Sequence, residues 1–314
     1  MKKEVLYLDR YYIGIEIGGT NLRIGVTDEN FSVREFEKTP TTALTQAEDK
    51  IDFLINKIEP YISKYGKSNI LVISLALASL MDKERTHIYS SPMIPGFEHM
   101  PLVALVEKRT GIPVVIEKDV NILLLYEIWK NQLPKAGIVA GTFLGTGLGN
   151  AMCIDGNIYK GNSGAACELG HIPLPDLDAG CGCGKRGCIE LLSSGKVLYH
   201  LAVKKYFCPV EKIFHLHGKE KEVLDVVRYC ALAIAAEITI LDPVCMVLGG
   251  GVVEMEAFPM EYLINKIREN LRIPNPRETL QFIKASGDAR AGVVGAAINA
   301  SLKTDILSPQ HKML

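Results

Sequence analysis

The same short pattern occurs once in each half of the chain: an apolar strand, a glycine turn that carries a threonine, and a second apolar strand. In the first half, apolar residues alternate from residue 12, the chain turns at Gly18 and Gly19, and apolar residues resume through Val26. In the second half, an apolar run over 138–144 breaks into a glycine turn and returns over 151–158. Period-two alternation on both sides of a glycine turn is typical of a β-hairpin. The repeat predicts two similar α/β domains.

The residues of both turns could hold a phosphate group. Thr20 and Asn21 present a hydroxyl, an amide and backbone N–H groups, and the second turn contains Gly145, Thr146 and Gly147. Backbone N–H groups at such turns form concave anion sites. One Gly-Gly hairpin alone is more often a plain turn, but the repeat favours two turns that grip one polyphosphate. The glycines lead into strand-like stretches rather than opening a helix, so the dinucleotide-binding fingerprint fits poorly.

A third glycine cluster follows an apolar strand predicted over 244–248. Gly249, Gly250 and Gly251 stand at the end of that strand. Glycines at a strand end allow a ligand to approach the backbone closely. We therefore expect a flat ring, such as a purine, to lie there.

The remaining apolar periodicity predicts helices that cross over buried strands. Short apolar runs at 70–80 and 113–116 suit buried strands. Helices are predicted over 43–62, 120–129, 222–240 and 292–300. Most of these predictions rest on apolar residues repeated at three-and-four spacing, and the last rests on its small residues.

Polar residues follow the strand predicted over 113–116. Glu117, Lys118, Asp119 and Asn121 come at its carboxyl end, before the predicted helix. Open α/β sheets bind ligands at such strand ends. Asp119 is therefore a candidate general base, but an aspartate in this place also suits the N-cap of the next helix. The segment alone leaves both roles open.

One imidazole and three thiols lie within 18 residues of one another, at His171, Cys181, Cys183 and Cys188. Glycines between them allow the backbone to wrap around an ion. One nitrogen and three thiolates suit Zn²⁺, and a site filled by protein ligands is structural. A disulfide knot or a redox turn is the alternative, but Cys-x-Cys spacing is too tight for easy internal pairing. We predict a zinc-bound loop.

Two carboxylates flank the predicted metal loop. Glu168 precedes His171, and Glu190 follows the last cysteine by two residues. Carboxylates accept hydrogen bonds from neighbouring hydroxyls, and an imidazole with one nitrogen on zinc can donate from the other. Glu168, His171 and Glu190 are therefore suited to bind the hydroxyl groups of a sugar. Each glutamate could instead cap a turn or pair with Lys185 or Arg186.

Charge and hydropathy exclude several classes of partner. Lys and Arg number 35 against 36 Asp and Glu, for a net charge of -1, which gives no broad basic field for nucleic acid or an anionic membrane. The apolar runs are shorter than the ~18 residues that span a bilayer. The N-terminal stretch has acidic residues and no apolar core of signal-peptide length, so we expect a cytoplasmic protein with a small-molecule partner.

The order of these motifs resembles the ROK family of sugar kinases over nearly the whole chain. The resemblance implies a two-domain actin-like ATPase (ribonuclease H-like) α/β fold with a zinc-bound loop. We expect 1–118 with 296–314 to form the smaller domain and 119–295 the larger one. The motifs that carry the resemblance are Ile17-Gly-Gly-Thr20, Asp119-x-Asn121, Gly145-Thr-Gly147, Glu168-x-Gly-His171, Cys181-x-Cys-Gly-x-x-Gly-Cys188 and Gly249-Gly-Gly251.

The resemblance also implies phosphoryl transfer from ATP to the 6-hydroxyl of a hexose, in a homodimer. It implies Asp119 as the base, with Lys118 and Asn121 beside it, and the glycine turns on ATP. Glu16 stands where many relatives have aspartate and would supply a carboxylate for Mg²⁺. Glu168, His171 and Glu190 would contact the sugar.

Within the family, the sugar that the resemblance favours is D-allose. Lys118 stands where many relatives have asparagine, and the stretch 249–259 supports the same group of relatives. Met93 and Cys167 also depart from the usual family residues and reshape the expected sugar pocket. Glucose, N-acetylmannosamine or fructose is the alternative substrate, and a sugar sensor without turnover is the alternative class. The presence of Asp119 and both glycine turns favours the enzyme.

Overall fold

The computed structural model describes residues 9–307. Within them the strands are β1 (Tyr11–Ile17), β2 (Asn21–Asp28), β3 (Val33–Pro40), β4 (Ile70–Leu77), β5 (Leu80–Met81), β6 (Ile88–Ser90), β7 (Val114–Lys118), β8 (Ile138–Leu144), β9 (Leu148–Ile154), β10 (Asn157–Ile158), β11 (Cys245–Gly249) and β12 (Gln281–Lys284). The α-helices are α1 (Thr41–Thr45), α2 (Lys50–Tyr65), α3 (Leu102–Thr110), α4 (Asp119–Lys130), α5 (Gly195–His200), α6 (Ile213–His217), α7 (Lys221–Leu241), α8 (Met260–Glu269) and α9 (Ala291–Leu307). A π-helical segment, Leu201–Tyr206, continues α5.

The chain forms two compact units. Among the described residues, unit 1 comprises 9–126, 162–164 and 289–307, and unit 2 comprises 127–161 and 165–288. The first change of unit therefore falls inside α4, eight residues beyond the boundary expected after 118. The end of α4 belongs with unit 2 because Ser286 donates from its backbone N and its Oγ to Glu127 Oε1, at 2.9 and 2.8 Å.

Each unit is built on a five-stranded sheet, and the two sheets have the same topology. The orders are β3-β2-β1-β4-β7 and β10-β9-β8-β11-β12. In both, the first three strands pair antiparallel and the last two are added in parallel. The hairpins β1–β2 and β8–β9 hold the same place in the two orders. This confirms the prediction of two similar α/β domains from the repeated glycine hairpin.

Helices cover both faces of the unit 1 sheet. The apolar side chains of α2 and α3 form one core with alternate residues of β1, among them Ile13 and Ile15. Tyr12 points to the opposite face, since side chains alternate along a strand, and it packs with Ala297 and Ala300 of α9. The contact is close, because a Cβ on Gly14 would overlap the backbone of α9. The sequence-predicted small-residue helix is thus confirmed.

The helix predicted over 43–62 is instead two helices. α1 ends at Thr45 and α2 begins at Lys50. Asp49 begins α2 as its N-cap, and its Oδ1 accepts from the backbone N of Ile51 and Asp52, at 2.7 and 2.9 Å. An aspartate that satisfies these backbone donors favours a helix start over a continuous helix.

Unit 2 contains a buried carboxylate in its core. Glu237 lies on α7 and is 7% exposed. Asn150 Nδ2 donates to Glu237 Oε2 at 2.9 Å and also to Gly141 O at 3.1 Å. Burial raises the pKa of Glu237 from 4.5 to about 7, although the hydrogen bond from Asn150 lowers it. The unit therefore prefers the protonated acid below neutral pH.

We expect Glu237 to make the stability of unit 2 fall as pH rises. When the pKa of a carboxyl is higher in the folded than in the unfolded state, the protein becomes less stable as the pH rises from the unfolded to the folded value. For Glu237 this range runs from pH 4.5 to about 7. Relative to the parent, Glu237→Gln should gain roughly 3 kcal/mol between pH 4.5 and pH 8. Urea unfolding of both proteins across this range checks the gain. Glu211→Gln, at an exposed position, is the control, and a Glu237→Gln curve parallel to the parent's would contradict the prediction.

Candidate active site

The first glycine turn lies between β1 and β2 in unit 1. Gly18 N donates to Asn21 O at 3.0 Å, which closes the turn. Thr41 braces it with two bonds, from Oγ1 to Gly18 O at 2.6 Å and from N to Thr20 O at 3.0 Å. Gly19 and Thr20 are exposed. The turn is therefore held in one shape and open to solvent, as a phosphate cradle requires.

Glu16 lies at the end of β1, opposite Arg23 of β2 in the hairpin register. Arg23 Nη1 donates to Glu16 Oε2 at 2.8 Å, and the glutamate is buried. Its carboxylate also faces the start of α9, where a Cβ on Gly292 would overlap it. Burial raises the pKa of Glu16, the Arg23 guanidinium opposes the rise, and the charge of Asp119 adds to it. The charge of Lys38 also lowers this pKa, so two cations oppose the effects of burial and of Asp119 on Glu16.

Asp119 lies at the carboxyl end of β7, where it begins α4. Its Oδ1 accepts from the backbone N of Val120 at 2.9 Å, and its side chain is half-buried. A carboxylate at this strand end can accept a proton. The same position at the start of a helix keeps its structural role open as well.

A buried glutamate organises the residues around Asp119. Glu117 Oε1 accepts from Lys118 N at 3.0 Å, from Asn121 Nδ2 at 2.9 Å and from Arg85 Nε at 2.7 Å. Lys118 and Asn121, both expected beside the substrate, are buried at this strand end. The amide nitrogen of Asn121 is directed at Glu117, so this side chain also supports the strand end itself.

The second glycine turn lies between β8 and β9 in unit 2. Gly145 N donates to Gly147 O at 3.0 Å, and the first residues of α5 donate to the turn, from Gly195 N to Gly145 O at 2.8 Å and from Lys196 N to Thr146 O at 3.2 Å. A Cβ on Gly145 would meet no atom within 4 Å. The turn is braced like the first one and leaves open space at one glycine.

Glu190 is joined to this second turn. Its Oε2 accepts from Leu148 N at 2.9 Å, and a Cβ on Gly147 would overlap its carboxylate. Glu190 follows Cys188 by two residues. The segment after the predicted metal loop and the glycine turn of unit 2 are therefore linked by one carboxylate.

Only one glycine of the third cluster leaves room for a ligand. A Cβ on Gly249 would press on Ala285 and the ring of Phe143, and one on Gly250, whose φ is 100°, would overlap the backbone of Leu144. A Cβ on Gly251 would meet no atom within 4 Å. The first two glycines thus serve packing, and Gly251 provides the open surface.

The four predicted zinc ligands come together in unit 2. The ligand atoms of His171, Cys181, Cys183 and Cys188 lie within 4.8 Å of one another. His171 Nδ1 is 3.6 Å from Cys181 Sγ, and Cys183 Sγ is 3.6 Å from Cys188 Sγ. A tetrahedral zinc site has edges of about 3.6 Å for N–S and about 3.8 Å for S–S, so the cluster fits the ion. A disulfide needs sulfurs at about 2.05 Å, and these cysteines are free.

The second ring nitrogen of His171, Nε2, faces Glu168, which is predicted to bind the sugar. His171 Nε2 lies 3.7 Å from Glu168 Oε2, and Glu168 is exposed. Cys167, directly before it, has a φ of 64°, in the left-handed region that side chains rarely adopt. A metal on Nδ1 would leave Nε2 as a donor toward this exposed carboxylate and its ligand.

The predicted site residues thus form two sets, one in each unit. Sequence reasoning missed the support around them from Arg23, Thr41 and Arg85, and it named Glu117 at the strand end without giving it this role. The hairpin register could have identified Arg23, since it lies directly opposite Glu16. Unit 1 holds Glu16, Gly18, Gly19, Thr20, Asn21, Lys118, Asp119 and Asn121, and unit 2 holds Gly145, Thr146, Gly147, Glu168, His171, Cys181, Cys183, Cys188, Glu190, Gly249, Gly250 and Gly251.

Comparisons with known proteins point to one family. The model of the ROK family matches residues 12–302. The chain is 30% identical to an N-acetyl-D-glucosamine kinase of Vibrio parahaemolyticus, over 91% of this chain and 98% of that protein. It is 28% identical to a glucokinase of Streptomyces coelicolor, over 91% of this chain and 96% of that protein.

Solved structures agree with these relatives. The fold is similar to a ROK family glucokinase from Streptomyces griseus in complex with glucose and AMPPNP, with a TM-score of 0.76 and 26% identity over 93% of this chain and 99% of that chain. A ROK hexokinase from Thermus thermophilus gives a TM-score of 0.76 and 27% identity over 94% of this chain and 99% of that chain. Across residues 9–307, no helix combines the length and apolar character needed to cross a membrane.

Proposed function

The chain belongs to the ROK family, and from this premise we propose that it transfers a phosphoryl group from MgATP to the 6-hydroxyl of a free hexose. The relatives are named glucokinase and N-acetyl-D-glucosamine kinase, and the chain is an ATP-dependent sugar kinase. The observation that carries the proposal is Asp119, a carboxylate at the end of a parallel strand in the unit that holds the first braced glycine turn.

The proposed roles follow from what phosphoryl transfer requires of a protein. It asks for alignment of the attacking hydroxyl, for donors to the phosphate oxygens and for a group that accepts one proton. Asp119 would accept the proton of the 6-hydroxyl, and the two glycine turns would donate backbone N–H groups to the phosphates. ATP supplies the phosphoryl group, and Mg²⁺ offsets its charge. Glu16 would hold the ion, because its carboxylate lies beside the first turn.

The proposed sugar contacts come from unit 2 and from the end of β7. Glu168 and His171 present an exposed carboxylate and an imidazole nitrogen on one short segment, which suits two neighbouring hydroxyls. Glu190 would add a carboxylate at the second turn. The zinc ion would fix this segment without a part in the chemistry, since four protein ligands fill its coordination. The proposal includes a homodimer, on the strength of the family.

We propose D-allose as the sugar, giving D-allose 6-phosphate. D-Allose is D-glucose with the 3-hydroxyl inverted, so a kinase that prefers it needs a changed contact near that group. Lys118 is the changed residue next to the base, and it is buried at the strand end. Met93 lies against the first turn, since a Cβ on Gly19 would approach its Cε to 2.6 Å. These residues support a pocket that differs from that of a glucokinase.

An ADP-release assay over a panel of sugars tests the proposed function. We expect the highest kcat/KM with D-allose among allose, glucose, N-acetylmannosamine, N-acetylglucosamine and fructose. A higher kcat/KM with another sugar would support the kinase activity and correct the proposed substrate. Sugar binding by calorimetry with no ADP release for any sugar would instead identify a sensor.

Lys118→Asn is the matched variant for the sugar preference. It should raise kcat/KM for glucose relative to allose by about tenfold or more, because a charged hydrogen bond to the sugar is worth about 1.5 to 3 kcal/mol. Lys108→Asn, at an exposed position on α3, is the control. An unchanged ratio in Lys118→Asn would remove this residue from the specificity argument.

A further inference from the structure

Arg85 lies in the loop between β5 and β6 and is unusual in two ways. Its φ is 61°, in the left-handed region that favours glycine. Its side chain is nevertheless buried, with 5% of the residue exposed. A charged side chain is almost never buried without partners. Both features indicate that the surrounding structure holds this guanidinium at a defined place.

The guanidinium joins three separate segments of unit 1. Nε donates to Glu117 Oε1 at 2.7 Å, and Nη1 donates to Asp82 O at 2.8 Å and to Gly164 O at 3.0 Å. Nη2 is buried and finds no hydrogen-bond partner among the residues that the structure describes. The planar fork of arginine allows one side chain to reach these acceptors at once, which the point charge of a lysine does not.

The first of these segments carries the proposed base. Glu117 is 1% exposed, and the oxygen that accepts from Arg85 also accepts from Lys118 N and Asn121 Nδ2. These two residues stand on either side of Asp119. The position of Glu117 therefore sets the strand end and the first turn of α4, from which Asp119 extends.

The second segment leads to the proposed sugar ligands. Gly164 has a φ of 83°, and a Cβ there would approach Met81 O to 2.6 Å, so Gly164 lies directly on the start of the β5–β6 loop. The chain leaves unit 1 immediately after Gly164 and reaches Glu168 four residues later. Arg85 thus holds the last point of unit 1 before the sugar-binding segment begins.

We propose that Arg85 is a positioning residue, which through Glu117 aims Asp119 and through Gly164 anchors the segment that leads to Glu168. This inference rests on the proposed function in taking Asp119 as the base. Arg85 does not touch the reacting atoms. It acts by tying the strand end that carries Asp119 and the segment that precedes Glu168 to one buried point. Misplacement of catalytic groups by about 1 Å can lower turnover 100-fold.

Three variants separate positioning from folding. Arg85→Met removes the guanidinium and keeps an apolar stem of similar length. Glu117→Gln removes the charge and keeps an oxygen that can accept from the neighbouring donors. The double variant contains neither charge, so it avoids the unpaired buried carboxylate that Arg85→Met alone would create. Arg109→Met, which breaks an exposed pair with Asp52, is the matched control.

We expect the double variant to unfold at the temperature of the parent but to lose at least about tenfold in kcat, with the KM for ATP within about threefold. The glycine turns are unchanged, so nucleotide binding should be unaffected. If Arg85 and Glu117 formed a purely structural pair, the double variant would recover the parental kcat together with the parental stability. A double variant with the stability and the kcat of the parent would overturn the inference.

Amide hydrogen exchange distinguishes failure of this inference from failure of the proposed function. A parent protein that phosphorylates no sugar would refute the function, and the exchange of 117–121 and 162–164 would still test the positioning. Faster exchange of both segments in the double variant than in Arg109→Met supports it. Equal exchange in the two variants overturns it.

Discussion

Asp119→Asn should fold normally, bind sugar within a few-fold of the parent and lose on the order of 10² to 10⁴ in kcat. Asparagine can occupy the start of α4 as aspartate does, but it cannot accept a proton from the 6-hydroxyl. Sugar affinity by calorimetry and kcat by ADP release measure the two effects separately. A large loss of kcat at nearly constant affinity is the signature of a group that acts in the transition state.

Asp49→Asn provides a matched control for this experiment. Asp49 caps α2 by accepting hydrogen bonds from two backbone N–H groups. Its substitution by asparagine therefore shows the effect of the same change at a helix start with a purely structural role. Asparagine caps a helix about as well as aspartate, so Asp49→Asn should keep most of the stability and leave the chemistry intact. If Asp119→Asn behaved like Asp49→Asn, with nearly parental turnover, the role of Asp119 would be structural.

Removal of the metal should have the second large effect, on folding. We expect purified protein to contain about one zinc per chain, as a closed four-ligand site requires. Cys183→Ser should lose the metal and at least about 3 kcal/mol of stability, because zinc binding to a structural site contributes to folding directly. Sugar affinity should fall with it, since Glu168 and Glu190 flank the loop. Metal analysis, urea unfolding and calorimetry check these effects.

Cys208→Ser is the control for the zinc experiment, because Cys208 is a free, half-buried cysteine outside the cluster. It should keep the metal and most of the stability. The decisive counter-result is parent protein stripped of metal by a chelator that remains folded and fully active. Such protein would show that the four side chains hold their arrangement without an ion.

The parts of this fold that could be predicted are those marked by a local pattern of apolar and polar residues in the sequence. The strand predicted over 138–144 is β8 without a change of boundary, and the helices predicted over 120–129 and 222–240 are α4 and α7 within one residue at each end. Alternation and three-and-four spacing report directly which side of a segment is buried. The cluster of four candidate zinc ligands could also be predicted, because these residues lie close together in sequence.

The support of the site could not be predicted, because it depends on contacts between distant segments. Arg85 and Glu117 are 32 residues apart, and Thr41 bonds to Gly18 across 23 residues. No periodicity marks either pair. A positive φ at Arg85 is likewise imposed by its surroundings, since arginine alone would avoid it. Sequence patterns predicted candidate groups for the chemistry and not the groups that hold them.

The division of the chain fixes an order of events during synthesis. Unit 1 is made from both ends of the described chain, because α9 packs on β1 and β4. When the first sheet leaves the ribosome, the face around Gly14 and Tyr12 has no cover until residues beyond 291 are made. At about 5 to 20 residues per second, the intervening unit 2 takes roughly eight to thirty seconds to translate. Unit 2 can therefore be complete while the N-terminal sheet still waits for its last helix.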